Sequence, residues 1–393
     1  MYQINNNKFD FRPEQLFCIG KRDNNPKRGF LFISKLLGKH LVVKPQVVRA
    51  TGFLLASLIY GFDNETFVNC IKDGLSPDYT RHASDSNVLV IGFCETATAL
   101  GMSVASAISG SHYISSTREK IVGVPQLLTF EESHSHASTH KIFSNWIKLD
   151  EYDKVILVDD EITTGHSLLH LMRSIISHCN IRHFSILTIL DWRDEGQKKD
   201  FRDFSDSYQV SVDVHALVSG QFEEKSIEVF HNDQLPQATS NLHSQSLNIF
   251  PRSLYNTENG PIAYLMDSGR FGITYPQILE IEDLASKMAG QLMSKMNTVE
   301  KILVLGHGEN IYIPSRVAAA LETKGLDVDF RTTSRTPIYV DREIIKDALE
   351  FSDRGVTYHF YNVSETSQYD RVLMLADTPF RSMLCNNLRI YDL

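Results

Sequence analysis

Short apolar runs separated by amphipathic or polar segments dominate the pattern along the chain. Such runs, when rich in Val, Ile and Leu, are typical of strands buried on both faces of a parallel sheet. They occur at residues 88–92, 155–158, 184–190, 210–217, 302–305 and 372–375. Residues 45–60 have helical spacing, begin with proline and precede a glycine, which predicts a helix. The alternation of strands and helices predicts an α/β fold.

The run at 155–158 leads into Asp159, Asp160 and Glu161, then a Thr-Thr-Gly turn and an amphipathic segment. In an open α/β sheet, ligands bind at the carboxyl edge of the strands. The segment from Ser167 predicts a helix whose first N–H groups lack intrahelical partners, and such a helix start favours phosphate. The carboxylates can accept hydrogen bonds from vicinal sugar hydroxyls or hold the water shell of Mg²⁺. A capped helix is the structural alternative, but a cap explains one oxygen-bearing residue rather than five.

A second strand-to-helix turn follows the run at 88–92. Phe93, Cys94, Glu95 and Thr96 lead from Gly92 into a segment of small residues with helical spacing. This arrangement predicts a second phosphate-binding turn. No motif pairs Cys94 with a base, so catalytic cysteine chemistry is not favoured.

The bulk composition restricts the class of protein. The 393 residues exceed what one core usually serves, so two domains are expected. The net charge of -9 argues against general nucleic-acid affinity. The sequence has no apolar run long enough for a signal peptide or a membrane span, and a cytoplasmic protein is expected. Five widely spaced cysteines without a Cys-x-x-Cys pair fit reduced thiols and exclude a zinc ribbon.

At 155–167 the sequence resembles the type I phosphoribosyltransferases, whose signature is an apolar strand, two acidic residues and a Thr-rich loop containing glycine. The resemblance implies a type I phosphoribosyltransferase fold in the first domain. It further implies that Asp159 and Asp160 contact the ribose hydroxyls of phosphoribosyl pyrophosphate (PRPP), with Mg²⁺ as cofactor. The implied 5′-phosphate contacts are Thr163, Thr164, Gly165, His166 and Ser167, and the implied pyrophosphate contacts are Gly92, Phe93, Cys94, Glu95 and Thr96.

The segment 129–140 lacks an apolar period, which predicts a loop after a strand at 113–118. The resemblance implies a mobile loop here that closes over PRPP and excludes water. Its candidates for stabilising the departing pyrophosphate are His134, His136 and His140, with Arg118 nearby. A metal site formed by the three histidines is the alternative interpretation.

Residues 1–43 contain a basic segment that includes Lys35, Lys39 and His40. In the resembled family a variable hood, built partly from the N-terminus, covers the acceptor base. These residues are therefore candidates for binding an anionic acceptor. Solvated lysines on a hairpin are the alternative.

The second half repeats the order of the first. Residues 302–309 parallel 88–95, and 372–378 parallel 155–161. The separation from Arg118 to Asp160 equals that from Arg335 to Asp377, 42 residues in each case. The pattern predicts that the second domain is a degenerate copy of the first. Because Ala replaces one acidic residue and Pro-Phe replaces the Thr-Gly, this copy is predicted not to bind PRPP in the same way.

The C-terminal part also resembles the domain named for a Thr-Arg-Ser-Pro motif (TRSP), which follows phosphoribosyltransferase domains in proteins of bacterial tellurium-resistance gene clusters. The chain has Ser-Arg-Thr-Pro at 334–337 and so departs from the named motif. A candidate second-domain site at the predicted strand ends consists of Arg270, His307, Glu309, Arg335 and Asp377.

The predicted organisation is a phosphoribosyltransferase domain at 1–230 with a hood-like segment at 1–43, a linker at 231–260 and a TRSP-like domain at 261–393. The predicted activity moves ribose 5-phosphate from PRPP to an unidentified nitrogenous acceptor and releases pyrophosphate. A non-catalytic sensor of PRPP or nucleotides is the alternative. A PRPP synthase is less favoured because no motif for ATP is evident. Binding to membranes or nucleic acid is not expected, and a homodimer is allowed.

Overall fold

A computed structural model describes residues 2–79, 82–83, 87–131, 139–223, 228–240, 243–257, 260–296 and 301–393. The chain forms two compact units. The first unit contains Met1–Arg12, Arg49–Lys225 and Asp267–Leu279, and the second contains Pro13–Val48, Ser226–Met266 and Glu280–Leu393. Both units are discontinuous in sequence, whereas the sequence-based boundaries are continuous.

The described helices are α1 (Pro13–Leu16), α2 (Pro45–Tyr60), α3 (Glu65–Asp73), α4 (Ala97–Ala107), α5 (His166–Ile176), α6 (Glu195–Tyr208), α7 (Tyr275–Met293) and α8 (Tyr312–Thr323), with short 3₁₀ helices at Leu149–Glu151, Met266–Ser268 and Val363–Gln368. The strands of the first half are β1 (Tyr2–Asn7), β2 (Phe17–Lys21), β3 (Phe30–Ser34), β4 (His82–Ala83), β5 (Val88–Gly92), β6 (Ile108–Ser109), β7 (His112–Ser115), β8 (Ile121–Val122), β9 (Gln126–Glu131), β10 (Thr139–Phe143), β11 (Lys154–Ile162), β12 (His183–Asp191) and β13 (Ser211–Phe222). Those that follow are β14 (Thr239–Ser240), β15 (Gln245–Ser246), β16 (Arg252–Thr257), β17 (Gly260–Leu265), β18 (Ile273–Thr274), β19 (Lys301–Gly306), β20 (Asp327–Thr332), β21 (Ala348–Asp353), β22 (Val356–Tyr361), β23 (Arg371–Ala376), β24 (Ser382–Met383) and β25 (Leu388–Asp392).

The first unit is built on a sheet in the order β1-β13-β12-β11-β5-β7-β18. Its five central strands are parallel, and β1 and β18 pair antiparallel at the edges. From β5 the chain passes through α4 to β7 on one side, and from β11 it passes through α5 to β12 on the other side. The strand order therefore reverses between β5 and β11, and such a switch point is where open α/β sheets bind ligands.

The second unit contains a parallel sheet in the order β15-β25-β23-β19-β20. Here the chain passes from β19 through α8 to β20 on one side, and from β23 to β25 on the other. Buried apolar residues of β19, β23 and β25 form its core together with aromatic residues of β21 and β22. The predicted α/β fold with a mostly parallel sheet in each domain is confirmed. No helix of the described residues is long and apolar enough to span a membrane.

Three segments differ from the sequence-based expectations. The ends of the predicted loop 129–140 belong to β9 and β10, which form an antiparallel hairpin because Leu128, Phe130 and Ile142 bury their side chains. The predicted linker contains β16, which pairs antiparallel with β17. The predicted hood-like segment is divided, since Pro13–Val48 lies in the second unit, where Val43 pairs with Phe330 of β20.

Candidate functional site

Strand β11 extends beyond the end of its neighbour β5, and its acidic residues lie in this extension. Val158 of β11 pairs with Gly92, the last residue of β5, and beyond that point β11 pairs with β12 alone. Residues 155–158 are 0% exposed, whereas Asp159, Asp160 and Glu161 are partly exposed. The Asp160 amide donates to Asp159 Oδ1 at 3.0 Å. The carboxylates therefore lie at the switch point and are open to a ligand.

The turn from β11 into α5 presents backbone N–H groups. Thr163, Thr164 and Ser167 are partly exposed, and His166 is exposed. Within the described part of the chain, the amides of Thr163, Gly165 and Ser167 donate no hydrogen bond. Gly165 has φ +79°, a left-handed conformation that L side chains rarely adopt. The unpaired N–H groups at the start of a helix favour an anion.

Two further elements support this turn. A Cβ on Gly165 would lie 2.6 Å from Phe201 Cζ of α6 and 3.3 Å from Arg193 Cδ. The Arg193 guanidinium lies 4.3 Å from the Phe201 ring centroid and donates to both carboxylate oxygens of Asp191 at 2.9 and 2.8 Å. Asp191 and Arg193 were not predicted as site residues from the sequence, although an acidic residue directly after the apolar run 184–190 is the same signal as at β11.

The turn from β5 into α4 is tightly packed. A Cβ on Gly92 would lie 2.6 Å from Tyr113 Oη and 2.9 Å from the Ala97 carbonyl oxygen, so only glycine fits without a shift. The Tyr113 hydroxyl donates to the Thr98 carbonyl oxygen at 2.7 Å. Phe93, Cys94 and Glu95 are each less than a tenth exposed, and the Cys94–Glu95 peptide is cis. The predicted pyrophosphate turn therefore lies beside the acidic edge of β11.

The Cys94 amide contacts the Ser116 hydroxyl, which in turn contacts the His140 imidazole. This amide donates to Ser116 Oγ at 2.9 Å, and His140 Nδ1 lies 3.1 Å from the same oxygen. Cys94 Sγ lies 3.5 Å from His140 Nδ1. The structure thus pairs Cys94 with a histidine that sequence spacing did not connect to it. Ser116 was missed because nothing in the sequence indicates that β10 folds back beside β7.

The remaining residues predicted around the first site are only partly assembled. His134 and His136 lie outside the described residues. Arg118 follows β7 and is half-buried. The prediction that Arg270 belongs to a second-domain site was wrong, because Arg270 lies in the first unit. Its guanidinium lies 3.5 Å from Glu119 Oε1, since β18 and the turn before it pack against β7.

The predicted acceptor residues lie in the second unit. Lys35 Nζ donates to the Glu14 carbonyl oxygen at 2.9 Å. Lys39 is 1% exposed, and its Nζ donates to the carbonyl oxygens of Gly308 and Thr333 at 3.2 and 2.8 Å. His40 Nε2 lies 3.1 Å from Ser334 Oγ. The role of Lys35, Lys39 and His40 in acceptor binding stays a prediction.

His307, Glu309, Arg335 and Asp377 lie at the carboxyl edge of the second sheet. His307 Nδ1 lies 2.8 Å from Thr333 Oγ1, and its Nε2 lies 3.2 Å from Asp353 Oδ2. Arg335 Nε donates to Tyr358 Oη at 2.9 Å. Asp377 is 3% exposed, and Glu309 is partly exposed.

The neighbouring residues His307 and Arg354 favour the ionised form of Asp353. Burial opposes its charged form, but the hydrogen bond and charge of His307, with the nearby Arg354, lower the pKa of Asp353 to about 2. Arg354 Nε donates to the same Asp353 oxygen at 2.9 Å. The carboxylate is therefore ionised at neutral pH.

Family models match both parts of the chain. The model described as phosphoribosyl transferase (PRTase_2) matches residues 16–221, and the model described as the TRSP domain C-terminal to PRTase_2 matches residues 267–389. The first match covers more than half of the chain. The protein therefore belongs to the phosphoribosyl transferase family, and the resemblance stated from the sequence is confirmed. No curated protein sequence matches the chain.

Solved structures of phosphoribosyltransferases resemble the chain distantly. Adenine phosphoribosyltransferase from Trypanosoma brucei, in complex with AMP, pyrophosphate and ribose-5-phosphate, is 11% identical over 52% of this chain and 76% of that chain, with TM-score 0.33. The enzyme from Rhodothermus marinus is 13% identical over 52% and 95%, with TM-score 0.32. Orotate phosphoribosyltransferase from Mycobacterium tuberculosis is 11% identical over 52% and 90%, with TM-score 0.28.

Proposed function

We propose that the protein is a PRPP-dependent phosphoribosyltransferase that moves ribose 5-phosphate to a nitrogenous acceptor and releases pyrophosphate. One observation carries this proposal: partly exposed carboxylates and unpaired helix-start amides adjoin each other at the switch point of a parallel sheet. Carboxylates accept hydrogen bonds from a diol, and the amides favour a phosphate. A phosphorylated pentose presents both groups.

Each part of PRPP is assigned to a different group of residues. Asp159 and Asp160 bind the ribose hydroxyls, and the turn 163–167 binds the 5′-phosphate. The turn 92–96 binds the pyrophosphate, which leaves as a nitrogen nucleophile attacks the anomeric carbon. Fixed reactants and preorganised dipoles supply most of the catalysis, because both lower the barrier without new covalent chemistry on the protein.

The acidic edge fits Mg²⁺ that arrives with the substrate. Among the described residues there is no group of three His, Cys, Asp or Glu side chains that could hold a metal. Mg²⁺ commonly keeps several waters and binds through one or two carboxylates together with substrate phosphates. Asp159 and Asp160 would contact that hydrated ion. When bound, it would neutralise charge on the departing pyrophosphate.

Other assignments extend the proposal. Arg118, with His134 and His136, stabilises the departing pyrophosphate. The acceptor is a nitrogenous base or a related compound.

The test is calorimetric titration of PRPP with Mg²⁺ into the full chain and into Asp159→Asn/Asp160→Asn. We expect at least a roughly 100-fold loss of affinity, because each hydrogen bond to a charged group contributes about 1.5–3 kcal/mol. Asp73→Asn/Asp206→Asn is the matched control, since it removes two exposed carboxylates of the first unit that are not part of the proposed site.

The double variant at β11 should keep the wild-type circular dichroism spectrum. Equal PRPP affinity in wild type and that variant would remove the assignment. Release of pyrophosphate on mixing PRPP with a panel of nitrogenous bases then tests catalysis, and the base that supports release identifies the acceptor.

A further inference from the structure

The loop proposed to bind pyrophosphate is held from behind by a buried hydroxyl. Ser116 Oγ accepts the Cys94 amide proton, so its own proton can be donated to His140 Nδ1 when the imidazole carries its proton on Nε2. Ser116 is 0% exposed and His140 is 2% exposed. Neither side chain is open to a ligand, but Ser116 contacts the loop backbone directly and His140 contacts Ser116.

Three separate elements converge on this contact. The Ser116 amide donates to the Gly92 carbonyl oxygen at 2.9 Å, which fixes the start of the loop. Thr117 and Lys141 exchange backbone hydrogen bonds of 2.8 and 2.9 Å, which fix β10 beside the end of β7. The Phe130 ring lies 4.9 Å from the His140 ring. The imidazole is therefore held in one position by packing and by strand pairing.

The second unit contains the same contact at the corresponding place. Thr333 follows β20, as Ser116 follows β7, and Thr333 Oγ1 accepts the Gly308 amide proton at 3.2 Å. A histidine is again the third member, because His307 Nδ1 lies 2.8 Å from this hydroxyl. The four strands β12-β11-β5-β7 have the same order as β25-β23-β19-β20. The histidines differ in position, because His140 lies in β10 and His307 follows β19. In both units, therefore, a hydroxyl accepts a backbone amide proton from the turn, after β5 in the first unit and after β19 in the second.

We propose that Ser116 and His140 are positioning residues for the pyrophosphate group of the substrate: through the Cys94 amide they fix the backbone of the loop that binds this group. This inference rests on the proposed function. It replaces direct stabilisation of pyrophosphate by His140 with an action through Ser116 on the backbone. Preorganised backbone donors need no rearrangement when charge develops, so loss of the hydroxyl should weaken binding of pyrophosphate more than binding of the sugar phosphate.

The experiment compares two ligands on the full chain. Affinities for inorganic pyrophosphate with Mg²⁺ and for ribose 5-phosphate are measured by calorimetry for wild type, Ser116→Ala, His140→Ala and His140→Asn. We expect Ser116→Ala and His140→Ala to lose about tenfold in pyrophosphate affinity, the scale of one hydrogen bond, with unchanged ribose 5-phosphate affinity. His140→Asn should recover most of the loss, because its amide can occupy the position of Nδ1.

Ser103→Ala is the matched control. It removes another buried hydroxyl of the first unit, one that donates to the Ala99 carbonyl oxygen within α4. Equal losses for both ligands in Ser116→Ala, or no loss of pyrophosphate affinity, would overturn the proposal. Wild type that binds pyrophosphate in a Ser116-dependent way but does not bind PRPP would refute the proposed function and leave this inference standing. Wild type that binds neither would overturn both.

Discussion

The two units have the same order of four parallel strands but end their third strand differently. In the first unit, β11 runs into Asp159, Asp160 and then α5. In the second unit, β23 ends at Ala376, and between it and β25 the described chain forms the short strand β24 and no helix. The second unit therefore has no helix start where the first presents its unpaired amides. The strand framework is thus kept in both units, whereas the turn after the third strand differs.

Aromatic side chains occupy the corresponding edge of the second sheet. Phe380, from the segment after β23, lies 4.9 Å from the His307 ring and 5.6 Å from Phe351. The Tyr358 ring lies 4.5 Å from His307. The shared strand order agrees with the degenerate-copy hypothesis, which stays a prediction. The absence of PRPP binding in the second unit likewise stays a prediction.

The sharpest contrast between the cores is at the second strand. Arg331 of β20 pairs with Leu305 of the first strand, and the corresponding pair in the first unit is Ile91 with Ile114. Arg331 is 0% exposed, and its guanidinium nitrogens make no hydrogen bond within the described residues. It lies 4.4 Å from the Phe360 ring centroid, and burial lowers the pKa of Arg331 to about 10. A cation is thus buried where the first unit has an isoleucine.

Replacing this cation should make the second core resemble the first. Arg331→Met keeps much of the side-chain length, and we expect it to raise the free energy of unfolding by about 1–4 kcal/mol, because burying a charge without partners is unfavourable. Urea unfolding at neutral pH measures the change. Arg331→Ala is the control, since a cavity should offset the gain. A loss of stability in Arg331→Met would mean that the guanidinium has a favourable role in this core.

Sequence pattern predicted β5, β11, β12, β19 and β23 well, because each contains a nearly continuous apolar run. It gave no such signal for β20 and β25, in which polar residues alternate with apolar ones. It failed for β9 and β10, whose arms mix exposed polar residues with a few buried ones. It also could not reveal that Ser116 and His140 meet, since the backbone bridge between Thr117 and Lys141 brings them together. Arg270 was assigned to the wrong unit because continuity along the chain was taken as proximity in space, whereas its segment packs on β7.

A second contrast between the units concerns the histidine beside the buried hydroxyl, which is His140 beside Ser116 in the first unit and His307 beside Thr333 in the second. In the second unit His307 also contacts Asp353, whose pKa is lowered to about 2. An unfolded aspartate has a pKa near 3.9, so the stability that Asp353 contributes is present above about pH 4 and is lost as pH falls toward about 2. Asp353→Asn should therefore reduce the free energy of unfolding by about 2 kcal/mol at neutral pH.

The acid dependence provides the control for this variant. Between about pH 4 and pH 2, the wild type should lose more stability than Asp353→Asn, and the two unfolding free energies should converge as the carboxylate is protonated. Chemical unfolding at several pH values measures this difference. Parallel pH dependences of the two proteins would show that the contact with His307 does not stabilise the fold.

The smallest expected effect concerns the start of α6, the helix that packs against the turn proposed to bind the 5′-phosphate. Helix α6 carries Phe201 against Gly165 and begins with a capping box, in which Asp194 Oδ1 accepts from the Gln197 amide at 2.8 Å and Gln197 Oε1 accepts from the Asp194 amide at 2.9 Å. Asp194→Ala should reduce the free energy of unfolding by about 1 kcal/mol, whereas Asp194→Asn should retain most of it, because both Asp and Asn cap well. Hydrogen exchange should accelerate in the first turn of α6. Since the cap orders the helix start rather than the position of Phe201, PRPP affinity should change by less than about threefold, a difference of under 1 kcal/mol. A larger loss of PRPP affinity would show that the turn depends on the start of α6 as well as on the Phe201 ring.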